Sequence, residues 1–287
     1  LSRFQIAGIR LKIHPFFWLI AIAAAATGQF MALITLFAIV IMHELGHVFA
    51  ALAVGWRVTS IELLPFGGVA KVDEGGSTKA ADEVIVALAG PFVNVVMIVI
   101  GYGFWRFGIW GDAWSEFFLT GNALIAGFNL LPIWPLDGGK VLQAMLSKFI
   151  SFYYAAQYSL YWSSSCLVVL IAVSFLFSFQ WNLIIICVYL LFENRMAWKQ
   201  GQYQFIRFLL MKRDLQKKDT LPIVTRTITP DTSLSGAVKL LKKEAFHRFY
   251  VNDLRSNRIA VLCEDRILSF FFEKNPNKTI SEIITVG

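Results

Sequence analysis

The residues equipped for chemistry stand together in Ile41-Met42-His43-Glu44-Leu45-Gly46-His47. His43 and His47 are four apart, so on a helix they lie one turn above the other and both imidazoles can bind one zinc ion. Glu44 follows the first of them, within reach of water polarised by that ion. Hydrolysis needs both services: zinc lowers the pKa of its water toward roughly 7, and a carboxylate takes the proton as the water attacks a carbonyl. The spacing alone is weak, since it falls by chance in many helices. Its surroundings sharpen it. Residues 30–40 and 48–54 are almost wholly apolar, and ionisable groups in such a run are costly unless they are paired or metal-bound. The plainer alternative is two core histidines satisfied by hydrogen bonds.

A catalytic zinc takes three protein ligands and keeps one position open, so a third ligand is needed. It is sought in Asn129-Leu130-Leu131-Pro132-Ile133-Trp134-Pro135-Leu136-Asp137-Gly138-Gly139-Lys140, where prolines and glycines end a helix and Asp137 emerges beside the break. Glu62, Asp82 and Glu83 compete, but each sits in a segment polar enough to be solvated without a metal. A helix cap is the other reading of Asp137.

These residues must be positioned by membrane helices. Of the 287 residues, 57% are hydrophobic and 16% charged, well outside the balance of soluble chains. No convincing small-residue cleavage site follows Arg3, Arg10 and Lys12. Crossing the hydrocarbon as helix takes about 20 residues, and apolar runs at about 15–27, 30–54, 80–105, 117–131, 158–177 and 181–191 predict six spans. With the N-terminus in the cytosol, the inside segments before residue 192 hold Arg3, Arg10, Lys12, Arg57, Lys71, Lys79, Lys140 and Lys148, and the outside segments only Arg106. That asymmetry predicts a multi-pass integral membrane protein with both termini cytosolic. His43 then lies roughly 16 Å below the cytosolic surface, and water must reach it through a polar cavity. His14, before Pro15, is read as an interfacial residue.

Between the second and third spans, alternation over Val58-Thr59-Ser60-Ile61-Glu62-Leu63 predicts an edge strand, able to bind an unwound substrate by strand addition, or an ordinary hairpin. In the third span Ala89-Gly90-Pro91 allows close helix approach. Asn94 can hydrogen-bond across helices or to a substrate backbone. Ser163-Ser164-Ser165 reads as a helix contact, and no serine has the base and oxyanion partners of a serine protease. Cys166, Cys187 and Cys263 have no metal or redox spacing.

The formal charge of +7 lies wholly in the tail: residues 1–192 carry nine Lys/Arg and nine Asp/Glu, residues 193–287 seventeen and ten. Anionic membrane lipid or an acidic partner suits that charge. Nucleic acid does not, because no aromatic-basic recognition module accompanies it. The chain divides into a six-span domain over 1–192, a helical connector over 193–220 and a small α+β domain over 221–287. In the last, strands at 223–228, 249–251 and 259–262 surround a helix that Asp231-Thr232-Ser233 caps and that runs through Lys243, with a closing helix at 280–284. A domain this small is near the lower limit for an independent core, which makes a homo-oligomer plausible.

With His43-Glu44-Leu45-Gly46-His47 in one span, Ala89-Gly90-Pro91 in the next and Leu136-Asp137-Gly138 after the one following, the chain resembles the site-2 proteases, zinc intramembrane metalloproteases. The resemblance implies that His43, His47 and Asp137 hold zinc and that Glu44 is the general base. The tail resembles a single cystathionine-β-synthase-type (CBS) domain, which implies ATP sensing, and no PDZ insertion is present. Leu64-Pro65-Phe66-Gly67-Gly68 and the 129–140 stretch are similar to the sporulation branch. That likeness implies a mother-cell protease of the outer forespore membrane that removes the pro-sequence of sigma factor K and is held in check by inhibitory membrane partners. In this reading Asn129 and Pro135, with Phe66 and Gly67, hold the substrate extended. The alternatives are cleavage of a membrane-bound anti-sigma factor, a non-catalytic membrane adaptor for a transcription factor, and a zinc or proton transporter. Intact Glu44 speaks against the adaptor, and the absence of an evident internal repeat against the transporter.

Overall fold

The computed structural model describes residues 4–6, 9–13, 26–64, 67–73, 79–177, 180–214, 221–253, 258–273 and 278–284. They form two compact units, one of residues 1–77, 81–132 and 136–141, the other of 78–80, 133–135 and 142–287.

The first unit is built on helices α1 (Phe30–Ala53), α2 (Ala80–Arg106) and α3 (Asp112–Asn129) and on the start of α4 (Asp137–Phe149). Both α1 and α2 are long and apolar enough to cross a membrane. Their outward side chains are those of a lipid-facing surface: Phe92 and Val99 are each 66% exposed, an arrangement that water would penalise over so many residues. What α1 and α2 bury includes Ile39, His43, His47 and Asn94, and at their closest approach a glycine. Gly46 of α1 lies so close to α2 that an added Cβ would sit 2.7 Å from the Ala89 carbonyl oxygen and 2.9 Å from Val93 Cγ2, so the missing side chain is what lets the two backbones touch.

Beside α1 runs a four-stranded sheet in the order β1-β2-β3-β4, with β1 at Phe4–Ile6, β2 at Ile9–Ile13, β3 at Arg57–Leu64 and β4 at Gly67–Asp73. β3 pairs in parallel with β2 and antiparallel with β4, with a register shift between Val58 and Ser60. The expected edge strand is therefore an interior strand. Among the described residues the outer strands of the sheet are β4 and β1, because residues 4–13 supply two strands, the second of which carries the alternation Ile9-Arg10-Leu11-Lys12-Ile13. The strand-forming part of the expectation stands and its edge status does not. The first expected span, 15–27, falls almost wholly outside the described residues, as do His14, Pro65 and Phe66.

The second unit contains α5 (Phe152–Phe177), which is again long and apolar enough to cross a membrane, and α6 (Trp181–Asp214). α6 is one continuous helix of 34 residues, about 51 Å at 1.5 Å per residue. Its far end enters a hydrophobic core: Phe205, Phe208 and Leu209 pack with Leu234, Leu241, Phe249, Leu268 and Ile280. That core rests on a sheet of order β5-β6-β7, β5 at Ile223–Ile228, β6 at Phe246–Asp253 and β7 at Arg258–Cys263, parallel then antiparallel. Helices α7 (Leu234–Val238), α8 (Glu264–Glu273) and α9 (Ile280–Ile284) cover it. Ser233 caps α7 by accepting from Gly236 N–H at 3.1 Å. α7 ends at Val238, so the helix expected through Lys243 is shorter than the sequence indicates, since residues 239–245 turn to lead into β6.

Candidate metal centre

His43 and His47 face inward from α1, 3% and 7% exposed, with ring centroids 4.8 Å apart. Asp137 meets them from the first turn of α4, where the Leu136 carbonyl accepts from Gly139 N–H and Lys140 N–H. The Asp137 Oδ2 lies 3.0 Å from His47 Nε2 and 3.2 Å from His43 Nε2, and the two Nε2 atoms are 3.1 Å apart. Gly138 makes this approach possible, because a Cβ there would run into the Leu130 and Leu131 carbonyl oxygens.

The protonation of both rings follows from their far sides. His47 Nδ1 is 2.7 Å from the Val86 carbonyl oxygen, which can only accept, so Nδ1 carries the hydrogen. His43 is set by a relay of amides. The Phe118 carbonyl accepts from Asn122 Nδ2, Asn122 Oδ1 accepts from Asn94 Nδ2, and Asn94 Oδ1 therefore faces His43 Nδ1 at 2.5 Å. Each Nε2 is left as a lone pair, and both point at a carboxylate oxygen. Three acceptors converge with no hydrogen between them, and a cation is what such a centre fits. Lys140 Nζ binds only the outer oxygen, Asp137 Oδ1, at 3.0 Å, and leaves Oδ2 to the centre.

Gly90 of α2 closes the wall. A Cβ there would come within 2.7 Å of His43 Nε2 and 2.6 Å of His47 Cε1, so only a glycine leaves the imidazoles their space. Among the described residues, His43, His47 and Asp137 are the cluster with metal-ligand geometry. Asp82 and Glu83 sit in the first turn of α2 and join no such cluster. Glu44, next to His43, is half-buried.

Of the residues expected to hold substrate, Asn129 ends α3 with its Nδ2 donating to the Ile125 carbonyl at 3.0 Å. Pro135 is half-buried and Gly67 opens β4 opposite Leu64. Sequence reasoning missed Asn122, the Val86 carbonyl and the steric part of Gly90. Asn122 did carry a signal, as an amide inside an apolar helix needs a partner.

The sequence profile of Peptidase family M50 matches residues 31–118, which include the two histidines and end before Asp137. Over 282 residues the chain is 30% identical to stage IV sporulation protein FB of Bacillus subtilis, covering 96% of each chain. This chain belongs to peptidase family M50. A second relative, a zinc metalloprotease of Methanocaldococcus jannaschii, is 26% identical over 86% of this chain and 74% of its own. The solved site-2 protease from M. jannaschii superposes with a TM-score of 0.56 at 26% identity, over 68% of this chain and 94% of that one. As an M50 peptidase the chain is an integral membrane metallopeptidase of the site-2 protease type, with a candidate metal site at His43, His47 and Asp137.

Proposed function

We propose that this chain is an intramembrane zinc endopeptidase that removes the pro-sequence of a membrane-associated sigma-factor-K-like precursor near the cytosolic face. The observation that carries the metal and its chemistry is the convergence of His43 Nε2, His47 Nε2 and Asp137 Oδ2 with both Nδ1 hydrogens tied elsewhere. Those three residues would hold the ion. When bound, zinc acts as a Lewis acid toward a peptide carbonyl and toward water. Glu44 takes the proton from the attacking water and passes it to the leaving amine. Lys140 neutralises the outer oxygen of Asp137 and fixes the carboxylate's rotation. Asn129 and Pro135, with Phe66 and Gly67, are the residues assigned to hold an extended substrate, a role that rests on the family likeness, and β4, an outer strand among the described residues, would offer it backbone partners.

The likeness to stage IV sporulation protein FB over nearly the full length supports the sporulation substrate and the outer forespore membrane as its site, with inhibitory membrane proteins as partners. Six spans over 1–192, a connector over 193–220 and a CBS-type domain over 221–287 complete the reading, with both termini in the cytosol and ATP as the ligand of the last domain. The β-α-β-β-α order there supports a single CBS-type repeat.

The experiment is co-expression with a tagged sigma-factor-K precursor, wild type against Glu44→Gln at matched membrane levels, with zinc measured in both purified proteins. A shortened product only from the wild type, with equal zinc, is expected, and the rate should differ by about 10²–10⁴. Equal cleavage by both would remove Glu44 as the base. Equal zinc with no product from either would overturn the substrate.

A further inference from the structure

A second polar site lies between α5 and α6. Ser164, Leu191, Asn194, Arg195, Trp198 and Lys199 line a cleft of about 470 Å³. Asn194 is 3% exposed. Its Nδ2 donates to Ser163 Oγ at 2.6 Å and approaches Ser164 Oγ at 3.3 Å, while its Oδ1 has no hydrogen-bond partner among the described residues. A buried amide oxygen left so lacks a donor, and nearly all such groups in folded proteins find one. Arg195 and Lys199 are exposed, one helical turn apart on the same face, and no carboxylate among the described residues lies within ion-pair distance of either. Trp198 packs edge-on against Tyr161 at 4.6 Å, with 43% and 49% of the two side chains exposed.

The height of this cleft decides what can enter. From Trp181 to Trp198 the helix rises about 26 Å, close to the thickness of a hydrocarbon layer. Residues 182–192 are apolar but for Asn182, and the first basic side chains of α6 are Arg195 and Lys199. Trp and Tyr collect at the membrane–water boundary, and basic side chains beside them meet phosphates.

We propose that this cleft holds the headgroup of an anionic phospholipid, its phosphate on Arg195 and Lys199 and a hydroxyl of its head donating to Asn194 Oδ1. Arg195 offers the phosphate a two-pronged donor pair and Lys199 a point charge. Trp198 and Tyr161 carry the glycerol backbone and upper acyl carbons. Phosphatidylglycerol has the required negative charge and hydroxyls, whereas phosphatidylcholine has neither net charge nor a donor. This inference rests on the membrane-spanning reading and not on proteolysis, so it is tested without substrate or zinc.

The full chain is reconstituted in nanodiscs with equal phosphatidylglycerol and phosphatidylcholine, released into mild detergent, and its retained lipids are weighed by native mass spectrometry. Phosphatidylglycerol should be retained about thirtyfold over phosphatidylcholine, a size expected of two interfacial cations at about 1 kcal/mol each. The Arg195→Gln/Lys199→Gln double variant should bring that ratio to parity. Arg226→Gln/Arg248→Gln, which removes the same charge from exposed positions on the soluble sheet, should leave it unchanged. Parity in the wild type, or an equal loss in both double variants, would overturn the site. Displacement of the lipid by free glycerol 3-phosphate would overturn the lipid as the source of the phosphate.

Discussion

Two buried clusters of nearly identical composition sit in the two units and are wired in opposite ways. In the first, His43 and His47 meet Asp137, with Lys140 on its outer oxygen. In the second, His247 Nδ1 lies 2.8 Å from Glu264 Oε2, Lys212 Nζ lies 3.1 Å from Glu264 Oε1 and also donates to the Ala245 carbonyl, and His247 Nε2 accepts from Lys242 N–H at 3.2 Å. His247 is fully buried and Glu264 nearly so. The second network is closed, each polar atom meeting a partner of the opposite kind. The first is open: its hydrogens are drawn outward to Asn94 and Val86, leaving acceptors face to face. Residue type therefore says little about whether a histidine-carboxylate group takes a metal. What decides is where the imidazole's hydrogen is sent.

The sharpest way to break this contrast is to delete a histidine from each cluster and measure zinc. His43→Ala should lose the bound ion entirely, and His247→Ala should keep it at about one per chain. Loss of zinc in both would mean that the second network is also a metal site. Removing the lysine of the closed cluster comes next. Lys212→Ala leaves Glu264 with one partner fewer in a buried setting and should cost the C-terminal unit about 3 kcal/mol, read by urea denaturation of the full chain with zinc content unchanged.

Smaller is the effect of the relay behind His43. Asn94→Leu removes the acceptor that fixes Nδ1–H, and zinc affinity should fall by about 10–100-fold, measured by competition with a chelator. An unchanged affinity would show that α1 packing alone orients the ring. The last test is of pH. Burial holds the Lys212 ammonium below its ordinary value of 10.5, with Glu264 opposing the shift. In the window between the depressed value and 10.5 the unfolded chain binds more protons than the folded one. Stability of this unit therefore rises with pH through that window and falls as pH is lowered through it. Lys212→Met should flatten that slope, seen in urea midpoints across alkaline pH.

The open cluster was largely legible in the sequence and the closed one was not. His43, Glu44 and His47 stand out because polar groups in an apolar run must be accounted for, and Asp137 because prolines and glycines set it at a helix break. That Asp137 begins a further helix, α4, was hidden by the same prolines and glycines, which read as a terminator. Asn122 and Val86 depend on which helices touch, and one sequence does not state that. β1 and β2 were missed because Arg3, Arg10 and Lys12 read as the charged flank of an apolar run; β1 pairs with its neighbour β2, and β2 with β3 some fifty positions away, which turned β3 from an edge into an interior strand. His247 gave no signal beyond its alternation with Phe249 and Val251 on the inner face of β6. The strand at Ile223–Ile228, by contrast, was plain from its own β-branched run.

α5 and α6 are fastened to each other at two heights. Asn194 is bonded to Ser163, and farther along Phe208 stacks on Phe152 at 4.4 Å, the latter also donating its N–H to the Leu241 carbonyl. A pair pinned twice can neither slide nor twist at one end while the other stays still. An inserted residue near Gly201 would turn everything beyond it by about 100° and force one of the two pins to break. The two pins, Asn194 and Phe208, stand fourteen residues apart on α6, about 21 Å at 1.5 Å per residue, so the register of α5 against α6 is set at both places by side chains of quite different chemistry, an amide at one and an aromatic ring at the other.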